Sequence, residues 1–167
     1  STPSLEVTIR KGTVSPSTAT ITWGTEKKLA ISPYNCCQKN SSICVDAAGY
    51  VWVAGSSNVN ENQVRYQIRS YQSAAVGNVE GSWTDRGNLL NQQSTYSTGK
   101  VTLVPAKSGS GYVVWAVYTY DGDILSRSHD GTGWTSEETI YSSSSSVLNT
   151  NWAPPSAVVD ANGVVHA

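Results

Sequence analysis

The chain has no phenylalanine and no methionine, only two histidines and three cysteines, and just 14% of it is charged. Each shortage excludes something. With a net charge of −1 and so few ionised side chains, there is no electrostatic case for a nucleic-acid partner or an anionic membrane surface. No apolar run approaches the roughly 18 residues that a membrane span needs, so membrane insertion is not expected. Helical periodicity is scarce. The three thiols, Cys36, Cys37 and Cys44, have no histidine near them in sequence, His129 and His166 being the only two. That argues against a metal site, and no other cofactor is expected.

What remains favours strands. The apolar residues are mostly Val, Ile, Trp and Tyr, and 14 glycines stand among many Ser, Thr and Asn. This palette fits pleated, half-buried surfaces joined by turns. A chain of 167 residues is long enough to bury a core, and an all-β protein is expected.

The chain repeats itself. Arg10, Arg69 and Arg127 each close a strand-like run, at intervals of 59 and 58 residues. A turn-rich linker and a tryptophan segment follow each: Trp23, Trp83 and Trp134, at intervals of 60 and 51. A third marker, Asp46-Ala47-Ala48-Gly49-Tyr50-Val51-Trp52, returns as Asp160-Ala161-Asn162-Gly163-Val164-Val165-His166, with a looser copy over Ser108–Val114. Three markers sharing a period of about 50–60 residues define a structural repeat. One unit reads strand, Asp/Gly turn, strand, loop, Arg-bearing strand, turn, Trp-bearing strand. Four antiparallel strands per unit is a β-propeller blade.

About ten strands and essentially no helix are expected. The division is one partial propeller over 1–167: the last two strands of a blade in 1–29, whole blades in 30–90 and 91–140, and the first two strands of a blade in 141–167. Three blades' worth cannot close a ring, for which 4–8 are typical. Flanking sequence in a longer native chain is the expected source of the rest. The alternative is head-to-tail association of copies, two of which give six blades.

Ser128-His129-Asp130-Gly131-Thr132-Gly133-Trp134 resembles a degenerate Asp-box, the S-x-D-x-G-x-T-W turn of sialidase-like (BNR-repeat) propellers, short by one residue. The segment Pro155–His166 looks like the inner strands of the same propellers. The resemblance implies the propeller fold. For a sialidase it would also imply an arginine cluster, a tyrosine nucleophile with a glutamate partner, and an acid/base aspartate. The three arginines occupy one position in successive units and so do not converge on a ligand; they read as structural. Asp46, Asp130 and Asp160 read as turn residues, and Trp23, Trp83 and Trp134 as packing between blades. Glu137 and Glu138 face opposite sides of a strand and cannot form a catalytic pair. No catalytic set is assembled.

Trp52, Val114 and His166 share one offset from their glycines yet differ in type, which marks a position for specific contact. With Tyr118 and Tyr120, Trp52 and His166 would supply stacking faces for a sugar. Asp121-Gly122-Asp123 reads as a turn rather than a calcium site. Cys44 is expected to bridge to Cys36 or Cys37, which with the sequon Asn40-Ser41-Ser42 suggests an oxidising compartment. No signal peptide opens the chain, so any targeting segment is removed or lies outside it. The expectation is a non-enzymatic, secreted or cell-surface module for binding or structural interaction. Glycan is the expected ligand. Its partners would be the remaining blades or further copies. The alternative is a piece of a sialidase-like glycoside hydrolase whose catalytic blades lie elsewhere.

Overall fold

A computed structural model describes residues 5–32, 38–58, 66–93, 99–107, 109, 111, 113–120, 122–142 and 154–167. Among these residues there are fourteen strands and no helix. The first four are β1 (Leu5–Ile9), β2 (Gly12–Ser15), β3 (Thr20–Trp23) and β4 (Lys27–Ser32). They make one long hairpin, with β1 paired to β4 and β2 to β3. Each arm is interrupted, at Arg10–Lys11 and at Gly24–Glu26, where the Gly24 N–H donates to the Lys11 carbonyl at 2.8 Å. These interruptions help raise the strand count above the ten expected.

Two antiparallel meanders follow in chain order. The first sheet is β5 (Gln38–Val45), β6 (Val51–Asn58), β7 (Tyr66–Ser73) and β8 (Trp83–Gln93). The second is β9 (Val101–Pro105), β10 (Val114–Tyr120), β11 (Asp123–His129) and β12 (Glu138–Tyr141). A last pair, β13 (Val158–Val159) with β14 (Val165–His166), completes the described residues.

Strand alternation sends successive side chains of β6 to opposite faces, and both faces are buried. Trp52 and Ala54, with Ile68 and Leu89, pack on Val101, Leu103, Val114 and Ala116 of the second sheet. Val51 and Val53, with Val79, pack on Val7, Ile9 and Leu29 of the first hairpin. Burying side chains of this size is worth about 1.5–3 kcal/mol each. Hairpin and sheets therefore stack face to face in the order of the chain.

The first strands of the two sheets are laced together. β9 is an edge strand, and an unpaired edge invites aggregation. Here the Val101 N–H donates to Asn40 Oδ1 at 2.7 Å, and the Leu103 N–H to Ser42 Oγ at 2.9 Å. The Thr102 hydroxyl donates in turn to the Pro155 carbonyl, ahead of β13. Asn40 is thus committed to the contact between sheets, which argues against the sequon as a glycan carrier.

Candidate functional site

The repeat markers acquire local geometry. Asp46 Oδ1 accepts the N–H groups of Ala48 and Tyr50, and its Oδ2 accepts the indole N–H of Trp52 at 2.8 Å. Asp160 Oδ1 accepts those of Asn162 and Val164, and its Oδ2 meets His166 Nε2 at 3.1 Å. Gly49 and Gly163 sit at φ 90° and 87°, where a side chain is strained. His166, first among the causes, holds the Asp160 carboxyl below its usual range. At the Asp130 turn one oxygen takes the Thr132 hydroxyl and the N–H groups of Thr132 and Gly133. Led by that hydroxyl, these bonds pull the Asp130 carboxyl down to about 2.

Each repeated arginine meets a carboxylate: Asp85 on β8, and Glu26 and Glu137 immediately ahead of β4 and β12. Arg10 pairs with Glu26 at 3.0 Å, Arg69 with Asp85, and Arg127 with Glu137 at 3.9 Å. Those carboxylates stand two or three residues after the repeated tryptophans, a fourth marker that the sequence carries. Trp83 packs on the Val51 face of the first sheet and Trp134 on its Trp52 face, each at the junction with the preceding layer. Trp23 is 59% exposed.

The proposed stacking residues are placed differently from expectation. Trp52 is fully buried, with the His129 ring at 4.8 Å, the Trp134 ring at 6.2 Å and the Arg86 guanidinium at 5.8 Å from its ring. It is core and offers no face to a sugar. Tyr118 is fully buried too, and its hydroxyl donates to Glu137 Oε2 at 2.6 Å. Tyr120 is half-buried against the same core. His166 is exposed, but its ring nitrogen is engaged with Asp160. The equivalence of Trp52, Val114 and His166 also needs correction. The pairs Val45↔Val51, Pro105↔Val114 and Val159↔Val165 close the first hairpin of each unit. Trp115, not Val114, therefore corresponds to Trp52, because the middle turn is three residues longer.

The disulfide expected at Cys44 is absent: its thiol is free and faces the core between the sheets. Burial, then the neighbouring Asp46 charge, pushes it up to about 12, far from a reactive thiolate. Cys36 and Cys37 lie outside the described residues, as does Asp121 of the Asp-Gly-Asp turn. Among the described residues no group of three His, Cys, Asp or Glu side chains could hold a metal ion.

Two arrangements were missed in the sequence. Tyr118, Glu137 and Arg127 come together, a tyrosine–glutamate pair with an arginine beside it. Burial, with the bond to Glu137 next, raises the Tyr118 phenol above its usual range, so the pair keeps the phenol neutral. The second is a cleft of about 450 Å³ between the β2–β3 hairpin and the β7–β8 connection. Lys11, Thr13, Thr22, Val76, Asn78 and Glu80 line it. Lys11 Nζ donates to the Gly77 carbonyl at 3.3 Å, and Glu80 Oε1 accepts the Thr25 N–H at 2.9 Å. None of these residues repeats, so no periodic signal could have found them. Comparison with protein-family models, curated proteins and solved structures returned no match.

Proposed function

We propose that this chain is part of a sialidase-like, Asp-box β-propeller that binds its ligand without turning it over, displayed at a cell surface or secreted, with carbohydrate as the ligand class. The stack of four-stranded meanders with laced inner strands supports the propeller reading, because radial repetition of such sheets is that architecture. The cleft between the β2–β3 hairpin and the β7–β8 connection carries the binding reading. It sets an ammonium, two threonine hydroxyls, an amide and a carboxylate around one concavity, the mix of donors and acceptors that sugar hydroxyls need. The surface location rests on low charge and a Ser/Thr-rich composition alone, since Cys44 gives it no support.

A glycan array with a fluorogenic sialoside assay tests this. Retention of a glycan, weakened at least tenfold by Lys11→Ala or Glu80→Ala without turnover of the sialoside, is the expected result. Failure to retain any glycan sinks it. The second reading, a glycoside hydrolase with its catalytic blades elsewhere, draws on Tyr118, Glu137 and Arg127, and sialoside turnover lost in Tyr118→Phe would establish it. Full burial of Tyr118 favours the first.

A further inference from the structure

We infer that the glycan taken by the cleft between the β2–β3 hairpin and the β7–β8 connection carries a tetrahedral oxyanion, a sulfate or phosphate ester, and that Lys11 is its anchor; this rests on the glycan reading of that cleft. The side chains lining the cleft leave more donors open than acceptors. Lys11 has three N–H donors and directs one to the Gly77 carbonyl at 3.3 Å. Among the described residues no carboxylate lies within ion-pair reach of it, so its charge is not neutralised in place. Asn78 has its acceptor engaged: Oδ1 takes the N–H groups of Glu80 at 3.1 Å and Gly81 at 3.0 Å. Those two bonds fix which end of the amide is oxygen, and the donors of Nδ2 remain. Thr13 and Thr22 pair across β2 and β3, so their hydroxyls share one face of the hairpin.

Glu80 is the one carboxylate among the described residues lining the cleft, and it is committed to holding the two walls together. Its Oε1 accepts the Thr25 N–H at 2.9 Å, and a Cβ on Gly24 would lie only 2.2 Å from that oxygen. Gly24 therefore leaves the room that the carboxylate needs to reach the hairpin. What stays open to a ligand is a surplus of donors around one cation, and an acceptor-rich anion satisfies it. The shape of the anion follows from the donor types. A planar carboxylate is best met by the two parallel N–H groups of an arginine, and no arginine stands among the described residues of the cleft. Lysine is a point charge. With an amide from one wall and hydroxyls from the other, it suits three oxygens set tetrahedrally around sulfur or phosphorus.

A glycan array on which each core is printed unsubstituted, sulfated, phosphorylated and sialylated tests this, with binding of the 167-residue chain read at low and high salt. The sulfated or phosphorylated form of a core should be held at least about tenfold more tightly than its unsubstituted and sialylated forms, and added salt should shrink that gain. Whichever ester is held identifies the source of the oxyanion. Lys11→Ala should abolish the gain. Glu80→Gln keeps an oxygen for the Thr25 N–H and removes a negative charge, so it should strengthen binding of the ester. Equal retention of bare and ester forms, tightest retention of a sialylated form, a gain that survives Lys11→Ala, or weaker ester binding in Glu80→Gln overturns the inference and leaves the glycan reading standing. Retention of no glycan in any form sinks that reading, and the inference falls with it.

Discussion

Asp46 and Asp160 organise their turns with the same set of hydrogen bonds: two backbone N–H groups on one carboxylate oxygen and a ring nitrogen six residues on at the other. Their surroundings differ. Trp52 lies against the second sheet, under His129, Trp134 and Arg86, whereas His166 is exposed. The local sequence Asp-x-x-Gly with a ring at the seventh position suffices to build the turn. Whether that ring becomes core is decided by what packs on it. A position that changes from tryptophan to histidine between units thus need not signal a ligand, because both rings present one nitrogen to the same carboxylate.

Truncating the two rings separates local from neighbouring contributions most strongly. Trp52→Ala leaves a cavity between the sheets and strands Asp46 Oδ2, and should cost about 3–5 kcal/mol of unfolding free energy. His166→Ala removes an exposed contact and should cost under about 0.5 kcal/mol. Urea titrations of both variants measure the contrast. Equal losses would mean that the turn itself, not the second sheet, gives the tryptophan its value.

A second difference is in pH response. His129 sits buried against Trp52, its Nδ1 accepting the Gly131 N–H at 2.9 Å and its Nε2 without a partner among the described residues. Burial, with the Arg86 charge next, pushes it down to about 4 from an ordinary 6.5. The unfolded chain therefore takes up a proton in a window where the folded chain does not. Stability from this ring is complete above about pH 6.5 and is lost as pH falls toward 4, by at most about 3 kcal/mol. Unfolding free energies at pH 7 and pH 4.5 should show this slope, and His129→Gln should flatten it. A slope that survives the substitution places the titration elsewhere.

Much of the fold was legible because its markers are local. The Asp/Gly turns, the repeated arginines and the repeated tryptophans are marked by residues close in sequence, and their period announced four-stranded antiparallel units, although only Trp83 opens a strand, Trp23 ending β3 and Trp134 standing ahead of β12. The middle register was misread for a physical reason. Gly111, at φ 81°, lies in a longer turn whose closing bond runs from the Ala106 N–H to the Val113 carbonyl, so counting from the glycine lands on Val114 instead of Trp115. Burial was the least legible property. Tyr118 and Trp52 look like good platforms until a second sheet is set against them. The free thiol of Cys44 follows likewise from the face of β5 that it occupies, and the cleft from two loops distant in sequence.

A last contrast concerns the glycines of the two turns. Alanine at φ 90° or 87° costs about 1–2 kcal/mol wherever it is placed, because Cβ crowds the following carbonyl. At Gly49 the added carbon would also lie 2.7 Å from Val76 Cγ1, and at Gly163 it would lie 3.1 Å from Lys107 Cδ. Val76 is exposed and its Cγ1 can turn away, whereas at Gly163 the Lys107 Cβ, at 3.2 Å, also crowds the added carbon and gives only by a small shift of its backbone. The turns differ more in what their strain is coupled to. The Gly77 N–H donates to the Gly49 carbonyl at 2.9 Å, tying the Asp46 turn to the β7–β8 connection, whereas β13 and β14 share only two ladder pairs. Such a short ladder opens well below global unfolding. Gly49→Ala should therefore lower the urea midpoint by its full cost. Gly163→Ala should leave the midpoint nearly unchanged and speed exchange of the Asp160 amide by roughly tenfold, the kinetic image of about 1.4 kcal/mol. An equal loss of midpoint in both variants would show that β13 and β14 unfold with the whole stack, and the two turns would then differ in exposure alone.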